Sequence, residues 1–436
     1  MNQNGLGLYI HIPWCEKKCP YCDFNAHALP VTHQLDPVLE MRYLKQLLLD
    51  LDQDIETFGI TAELTSLFFG GGTPSLLSSR GLGYLLAEVD KRLPINSTTE
   101  CSLEANPGSS DQAKFVGYRA AGINRLSIGV QSFSDPALQR LGRTHTRSEA
   151  SAAIHAARRA GFSNINLDLM HGLPGQTPDS AIADLDFAAQ FSPEHLSWYQ
   201  LTIEPNTVFY STKPKLPVES FLQAITDQGL DWLQSQGFAR YEISAFARSQ
   251  ALQSRHNLTY WRFGDYLGIG AGGHGKLSRQ NTTLEIQRTQ KTRVPKDYLA
   301  SPNRRMTELP IKERPIEFLM NACRLVEGFA LTDFEQTTGL PSSALEGFIT
   351  KGAQQGLVSA SKGQITPTAA GLEFLGLRGV DAKLAALIVV AVESLDGSVQ
   401  LALVAESHES KSFGSAGFAV GDDFDPFNRS VSGEEA

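Results

Sequence analysis

The chain has 436 residues, of which 42% are hydrophobic, with a formal net charge of -9 and an isoelectric point near 5.6. This composition indicates a globular protein with a large core and two domains, and the acidic balance argues against a nucleic-acid partner held by a general basic surface. The polar start, Met1 to Gly7, lacks a signal-peptide pattern, and the longest apolar run, Leu384 to Val392, is too short to span a bilayer. We expect a cytoplasmic protein without a transmembrane segment; peripheral membrane contact stays open.

Short β-branched and apolar segments alternate with helical patterns through the first half of the chain. This alternation predicts an α/β fold with a parallel sheet and right-handed crossovers. Six such units favour a partial (β/α)6 barrel, similar to a TIM barrel, over a closed eight-fold one. The predicted strands are Leu8–Ile12, Leu64–Phe69, Glu100–Glu104, Arg125–Val130, Ile165–Met170 and His195–Thr202.

Three of the five cysteines follow the first strand in the spacing CxxxCxxC. Cys15, Cys19 and Cys22 are soft thiolate ligands of the kind that iron-sulfur clusters require. Three thiolates leave one iron of a 4Fe-4S cluster without a protein ligand, and an open metal position can bind and activate a small molecule. The pattern favours an open-site 4Fe-4S cluster over a zinc site or three unrelated thiols. Cys101 and Cys323 are predicted to be buried core residues.

Unusual residues also end the other predicted strands. Gly70–Pro74 follows the second strand, Glu104–Pro107 closes the third, Gln131 ends the fourth and Asp168 lies near the end of the fifth. Because the carboxyl ends of parallel barrel strands share one face, where barrel active sites are built, we expect these residues to meet at one site. A glycine-rich turn taken alone marks only a tight turn.

The regular alternation fades beyond about residue 205. A second glycine-rich segment, Gly268–Gly275, is typical of backbone that approaches a ligand or another strand closely. From about Thr307 a smaller, winged-helix-like domain is predicted, and its sparse Lys and Arg argue against DNA binding. Its predicted elements are helices near Pro315–Val326, Leu331–Thr337 and Ser343–Gln355, and a hairpin over Val358–Ile365.

A set of specific motifs between Leu8 and about Leu375 carries a resemblance to a known family. The motifs are YIHIPWC, FFGGGTPS, SLEANP, IGVQSF, LGRTH, NLDLMHGLPGQT, RHNLTYW, YLGIGAGGHG and LMNACRLVEGF. With them the chain resembles radical S-adenosylmethionine (SAM) proteins of the HemN/HemW group, and within that group the haem chaperones. The domains implied are a radical SAM barrel core (1–205), an extension with the HNxxYW and glycine-rich segments (206–300), a HemN-type C-terminal domain (301–375) and an atypical tail (376–436).

The resemblance implies that the three clustered cysteines hold a 4Fe-4S cluster and that SAM chelates its fourth iron. Absent side chains at Gly71 and Gly72 would permit close backbone approach to SAM. A carboxylate such as Asp168 can accept two ribose hydroxyls. Judged singly, Arg143 also fits a surface ion pair, and Asp168 a helix cap. The residues implied to bind SAM or a neighbouring ligand are Tyr9, Tyr21, Gly71, Gly72, Thr73, Glu104, Gln131, Arg143 and Asp168.

One position in the cysteine motif separates two subgroups of the family. The coproporphyrinogen dehydrogenases resemble CxxxCxxCxC, whereas Phe24 stands two positions after Cys22 here, and Phe24-Asn25 matches the CDFN pattern of the chaperones. The RHNLTYW segment points the same way, because His256 could ligate haem iron, although a lone histidine is more often only hydrogen-bonded. The resemblance therefore implies a chaperone that binds a cluster, SAM and haem and delivers haem to unidentified acceptor proteins.

Two other functions stay open at this point. One is an oxygen-independent coproporphyrinogen III dehydrogenase of porphyrin metabolism, in which reductive SAM cleavage gives a radical that abstracts hydrogen from a porphyrinogen side chain; the thiol missing at Phe24 speaks against it. The other is a zinc-stabilised interaction protein, which needs no SAM pocket. In the tail, Leu384–Val404 is apolar enough for a helix or a strand pair, and disorder is predicted after Ala405.

Overall fold

The computed structural model describes residues 5–29, 35–108 and 113–377. The predictions for Leu384–Val404 and for the tail after Ala405 lie outside the described residues. The strands are β1 (Leu6–Ile12), β2 (Trp14–Cys15), β3 (His27–Ala28), β4 (Leu64–Gly71), β5 (Glu100–Ala105), β6 (Arg125–Gln131), β7 (Ile165–His171), β8 (His195–Gln200), β9 (Ala239–Glu242), β10 (Ala245–Ala247), β11 (Asp265–Ile269), β12 (His274–Gln280), β13 (Leu284–Lys291), β14 (Arg304–Glu308), β15 (Phe329–Ala330), β16 (Val358–Ser361) and β17 (Gln364–Pro367).

Helices alternate with these strands and start at recognisable caps. The Asp36 carboxylate accepts from two amides at the start of the first helix, which ends at Gly59 in a left-handed conformation. Capping boxes at Thr146 and Thr177 start two further helices. The α-helices are Pro37–Phe58, Ser79–Asp90, Phe115–Ala121, Asp135–Arg140, Arg147–Arg159, Pro178–Ala189, Val208–Thr212, Glu219–Ser235, Arg255–Trp261, Pro295–Ala300, Arg314–Ala322, Leu331–Thr338, Glu346–Gln354 and Ala369–Leu377.

One large sheet organises the chain, in the order β14-β13-β12-β11-β1-β4-β5-β6-β7-β8-β10-β9. Its centre, from β11 through β1 and β4 to β8, is parallel, and the strands at both edges are antiparallel. Strands β1 and β4 to β8 are the six predicted ones. Strand β8 ends at Gln200 instead of Thr202, and the other five are each one or two residues longer than predicted. The predicted fold class, a partial (β/α)6 barrel with a winged-helix-like domain, is confirmed.

The two faces of the parallel strands differ in chemistry. On β7, Leu167 and Leu169 belong to the main hydrophobic core, while Asn166 and Asp168 belong to a buried hydrogen-bonded network on the opposite face. This alternation follows from the two-residue period of a strand. Because barrels usually fill their interior with branched apolar side chains, a polar inner face marks the part of the barrel that serves a site.

The added strands β11 to β14 are fixed to the barrel by buried charges. The Lys291 ammonium on β13 lies 2.5 Å from the Asp50 carboxylate and 2.7 Å from that of Asp54, and all three side chains are fully buried. Burial raises the pKa of Asp50, and Lys291 opposes that rise. The Tyr298 hydroxyl also donates to Asp50, at 2.7 Å. These contacts hold the long helix Pro37–Phe58 against the edge of the sheet.

The C-terminal part forms its own small core beside the barrel. Phe318, Phe334 and Phe348 from three helices pack together over the sheet β15-β17-β16. The amide of Val326 donates to the Tyr241 carbonyl at 3.0 Å, which joins this part to strand β9 of the large sheet. No helix in the described ranges is both long enough and apolar enough to cross a membrane.

Replacing Lys291 by Ala should destabilise the protein strongly, since Asp50 and Asp54 would remain buried without their shared cation. Loss of one partner from a buried ion group typically costs on the order of 3–5 kcal/mol of unfolding free energy. Urea denaturation followed by circular dichroism measures the change. The control is Arg262→Ala, which removes an exposed pair with Glu327 and should change the same free energy by less than about 1 kcal/mol. Equal effects of the two variants would contradict a stabilising role for Lys291.

Candidate functional site

The carboxyl ends of the parallel strands open into one cleft of about 1100 Å³, part of it open to solvent. The cleft brings together most of the side chains that the sequence predicted to bind the cluster or SAM. Those in its lining are Cys15, Cys19, Tyr21, Cys22, Gly71, Gly72, Thr73, Glu104, Gln131, Arg143 and Asp168. Tyr9 and His256 are not among the lining residues.

The cysteine loop leaves and returns through a pair of short parallel strands, β2 and β3. The amide of Leu29 donates to the Cys15 carbonyl at 2.8 Å, and the amide of Cys22 donates to the Cys19 carbonyl at 3.1 Å. Burial raises the pKa of the Cys15 thiol to about 11 and that of Cys22 to about 12. These thiols are therefore neutral on their own at neutral pH, and a bound cation such as iron is needed to stabilise their thiolates.

The three cysteines line one cleft but are not grouped around a single metal position. A tetrahedral zinc site needs its sulfur ligands within about 2.3 Å of one point. Among the residues that the structure describes, no group of three His, Cys, Asp or Glu side chains is arranged to hold one metal ion. Cys15, Cys19 and Cys22 nevertheless line a common cleft, which suits a cluster because each thiolate there binds a different iron.

The glycine-rich turn after β4 is hydrogen-bonded directly to the cysteine strand. The amide of Gly72 donates to the Ile12 carbonyl and that of Thr73 to the Trp14 carbonyl, both at 2.7 Å. A Cβ atom on Gly72 would lie 2.4 Å from the Trp14 carbonyl oxygen. Gly71 has φ 113° and its Cβ would meet the His11 ring. The family resemblance implied that these glycines admit SAM, whereas in the structure their absent side chains admit the cysteine strand and His11.

The second glycine-rich segment also contacts protein. Asn25, in the cysteine loop, donates its side-chain amide to the Ala271 carbonyl at 3.0 Å and to the Arg293 carbonyl at 2.8 Å. A Cβ atom on Gly272 would lie 2.4 Å from the Asn25 nitrogen, and one on Gly270 would lie 2.4 Å from the His11 carbonyl oxygen. Of the two predicted roles for this segment, close approach to another strand is the one observed.

Arg143 reaches from outside the barrel strands to the cysteine loop. Its guanidinium donates to the Asn106 side chain at 2.7 Å and to the Gly129 carbonyl at 3.0 Å, and one nitrogen lies 3.7 Å from the Cys19 sulfur. A Cβ atom on Gly129 would lie 2.9 Å from the Gln131 side-chain nitrogen and in ordinary van der Waals contact with this guanidinium, at 3.5 Å. Arg143 is thus a cation held beside one predicted cluster ligand by neutral acceptors, which differs from a surface ion pair.

Two acids face the same cleft with raised pKa values. Burial, together with the charge of Asp168, raises the pKa of Glu104 to about 8. Burial raises the pKa of Asp168 to about 6, although Ser127 and Asn166 donate to its carboxylate at 2.8 Å each. Asp168 lies within β7 and caps no helix. A ligand with positive charge would restore ionisation of both carboxyl groups, so the pair is suited to a cation.

Several side chains of the cleft were not predicted from the sequence. One of them is Tyr199, whose hydroxyl donates at 2.8 Å to the side-chain carbonyl of Gln131, a predicted residue that ends β6 at a bulge with φ 66°. Tyr199 lies next to the last residue of the sixth strand, so the position of polar residues at strand ends, which indicated the other site residues, is the signal that could have found it. Asn106 stands within the SLEANP motif and donates to the Thr73 hydroxyl at 3.1 Å. Ser127 is mid-strand and carries no local signal.

Tyr9 supports the cysteine loop through His11. The His11 Nε2–H donates to the Asn25 carbonyl at 3.0 Å, which leaves Nδ1 to accept from the Tyr9 hydroxyl at 2.9 Å. Burial lowers the pKa of His11 to about 4, consistent with this neutral form. The ring of Tyr9 also contacts Gly70. Its predicted contact with SAM stays a prediction, and the observed contacts are with His11 and Phe68, which do not line the cleft.

His256 lies on the helix Arg255–Trp261, deep in the protein. Its side chain is 2% exposed, its ring stacks on Phe68 with centroids 4.1 Å apart, and Tyr260 covers it edge-on at 4.6 Å. The start of this helix contacts Glu100 at the amino end of β5, so the helix enters the barrel opposite to the cleft. Haem ligation by His256 stays a prediction, and it requires this helix to move.

Replacing Gly72 by Ala should displace the cysteine strand, because the new methyl group would overlap the Trp14 carbonyl. After anaerobic reconstitution we expect the variant to hold less than about half the iron and sulfide of the wild type. The matched control is Gly83→Ala, since a Cβ there meets only Ala121, at 3.7 Å. Wild-type cluster content in a folded Gly72→Ala protein would show that the contact with Trp14 does not position the thiols.

The chain is similar to known proteins in both sequence and fold. Residues 9–188 match the radical SAM superfamily model, and residues 309–374 match the HemN C-terminal domain model. The heme chaperone HemW of Haemophilus influenzae is 47% identical over 83% of this chain and 94% of its own length. That of Escherichia coli is 45% identical over 81% and 92%. The solved coproporphyrinogen III oxidase HemN of Escherichia coli superposes with a TM-score of 0.70 over 90% of this chain and 91% of its own, at 22% identity, and shows the shared fold.

Proposed function

The chain belongs to the radical SAM superfamily and to the HemW family within it, and on this premise we propose that it is a haem chaperone. It binds haem and delivers it to acceptor proteins in the cytoplasm. The observation that carries the proposal is the 47% identity to a heme chaperone over 94% of that relative's length, which includes both the barrel and the C-terminal part. Sequence identity at this level over this length indicates that the two proteins share the same architecture around the site.

The cleft residues fit the two cofactors that the superfamily implies. Three thiols line one cleft without the arrangement of a single-ion site. Beside them, the amides of Gly71, Gly72 and Thr73 donate to Glu104, Ile12 and Trp14. Cys15, Cys19 and Cys22 would hold a 4Fe-4S cluster. When bound, this cluster supplies an electron and an open iron position for the amino and carboxylate groups of SAM.

The other lining residues would orient SAM by charge and shape. Glu104 and Asp168 offer carboxylates to its positive groups and its ribose hydroxyls. Arg143, 3.7 Å from the Cys19 sulfur, would offer a cation to the SAM carboxylate. The Tyr199 hydroxyl donates to the Gln131 side chain, and both residues line the same cleft.

Phe24 favours haem over a porphyrinogen substrate. Phe24 lines the cleft, and it stands at the position where the dehydrogenase pattern has a fourth thiol. Its carbonyl accepts from the Lys18 ammonium at 2.9 Å and from the Ala26 amide at 2.6 Å, so the backbone there is fixed. A radical enzyme must hold its substrate in a reactive geometry, and an apolar ring in place of a thiol removes one group that could do so. Haem needs an apolar surface and an axial ligand.

SAM affinity should rise with pH between about 6 and 8, the range set by the pKa values of Asp168 and Glu104. Both carboxyl groups take up protons in the free protein in this range, and the positive charges of SAM favour their ionised forms. Binding therefore releases protons, and the slope can approach about tenfold per pH unit for each proton released. Calorimetry in buffers of different ionisation enthalpy measures the release.

The control for this pH dependence is Glu63→Gln, an exposed substitution that should leave the slope unchanged. Glu104→Gln should flatten the profile near pH 8, where Glu104 titrates. A flat profile for the wild-type protein would show that neither carboxyl group changes its protonation when SAM binds.

Haem retention and coproporphyrinogen III conversion should be measured side by side on reconstituted protein with SAM and a reductant. We expect stable haem binding and negligible oxidation. His256→Ala should change the haem absorption spectrum or lower the affinity at least about tenfold while the iron-sulfur content stays at the wild-type level. His155→Ala, at an exposed helix position, is the matched control. SAM-dependent decarboxylation of coproporphyrinogen III without haem retention would contradict the chaperone function and support the dehydrogenase function.

A further inference from the structure

A buried row of hydrogen bonds runs from the cleft to the helix that carries His256. Asn166 donates to the Asp168 carboxylate at 2.8 Å, and its side-chain carbonyl lies 2.6 Å from Nδ1 of His195. The other ring nitrogen of His195 lies 2.9 Å from the Tyr241 hydroxyl, which accepts from the amide of Ser254 at 3.2 Å. All five residues are buried. We call this row the Asp168–Ser254 relay.

The direction of each hydrogen bond in the relay follows from its chemistry. The ionised carboxylate of Asp168 can only accept, which fixes the orientation of the Asn166 amide. The Asn166 carbonyl must then accept from Nδ1–H of His195. Nε2 of the neutral imidazole is left to accept from the Tyr241 O–H, whose oxygen accepts from the amide of Ser254. Every donor thus points toward Asp168, and bonds aligned in this way strengthen one another.

Both ends of the relay belong to functional elements. Asp168 lines the cleft, and Ser254 is the N-cap of the helix Arg255–Trp261, where its hydroxyl accepts from the amide of Asn257 at 3.3 Å. Burial keeps His195 neutral by lowering its pKa. The imidazole therefore has one stable tautomer, which fixes the orientations of Asn166 and Tyr241 on its two sides.

We propose that His195 and Tyr241 are positioning residues for SAM, holding the Asp168 carboxylate toward the ribose and coupling its orientation to the start of the His256 helix. The inference rests on the proposed function, since it requires Asp168 to contact SAM. It adds that a bound SAM orders the helix, and that the helix in turn sets SAM affinity, because such coupling is reciprocal.

The test uses three variants of the full, reconstituted protein and measures the SAM dissociation constant by its effect on the EPR spectrum of the reduced cluster. Tyr241→Phe removes only the hydroxyl and should weaken SAM about three- to tenfold, the range for one buried hydrogen bond. His195→Leu should weaken it at least as much. His195→Asn keeps a donor for Asn166 and should recover part of the affinity that His195→Leu loses.

A second readout separates positioning from general loss of stability. Hydrogen exchange of the Ser254–Trp261 amides should slow when SAM binds to the wild-type protein, and this SAM-dependent protection should vanish in His195→Leu. The control is Tyr298→Phe, which removes an equally buried hydroxyl that donates to the Asp50 carboxylate at 2.7 Å. It should lower stability without changing SAM affinity.

The outcomes distinguish failure of the relay from failure of the proposed function. Wild-type SAM affinity in Tyr241→Phe and His195→Leu, with weakened binding in Asp168→Ala, would overturn the relay and leave the proposed site intact. Wild-type affinity in Asp168→Ala would remove Asp168 from the SAM site and the relay with it. Absence of SAM binding by the wild-type protein would overturn both.

Discussion

The site depends on two backbone hydrogen bonds, from Gly72 to Ile12 and from Thr73 to Trp14. They join the end of β4 to the strand that presents Cys15, so this thiol and the glycine-rich turn are held in a fixed relation to each other. Backbone bonds of this kind tolerate no side chain between the segments, which explains the glycine at position 72. The position of Cys15 relative to the acids across the cleft is therefore set by the backbone.

The six barrel strands and the convergence of their ends were predictable because buried parallel strands are locally apolar and end in unusual residues. Strand β11 was not predicted as a neighbour of β1, since a pairing between Leu8 and Leu267 leaves no local signal. For the same reason the ion pairs of Lys291 and the two carbonyl partners of Asn25 could not be predicted from the sequence. Tyr9 and His256 lie within recognisable motifs, but the sequence does not show which residues they contact in the folded protein.

The polar inner face of the barrel has a structural cost that its hydrogen bonds offset. Each buried hydroxyl or amide must find a partner, so Ser127, Asn166, Ser197 and His195 satisfy one another around Asp168. Such a network admits few alternative arrangements and makes the barrel interior specific. It also explains why the Asp168 carboxyl keeps a defined direction despite its raised pKa.

The two hydrogen bonds that Asn25 donates to the Ala271 and Arg293 carbonyls have a consequence for biosynthesis. Asn25 is separated from Ala271 by 246 residues and from Arg293 by 268. The cysteines leave the ribosome first, but the segment that fixes their loop is translated much later, and contacts between distant residues form slowly. The nascent chain therefore exposes its thiols through most of translation, and iron-sulfur insertion into a fixed loop has to wait until nearly the whole barrel has been made.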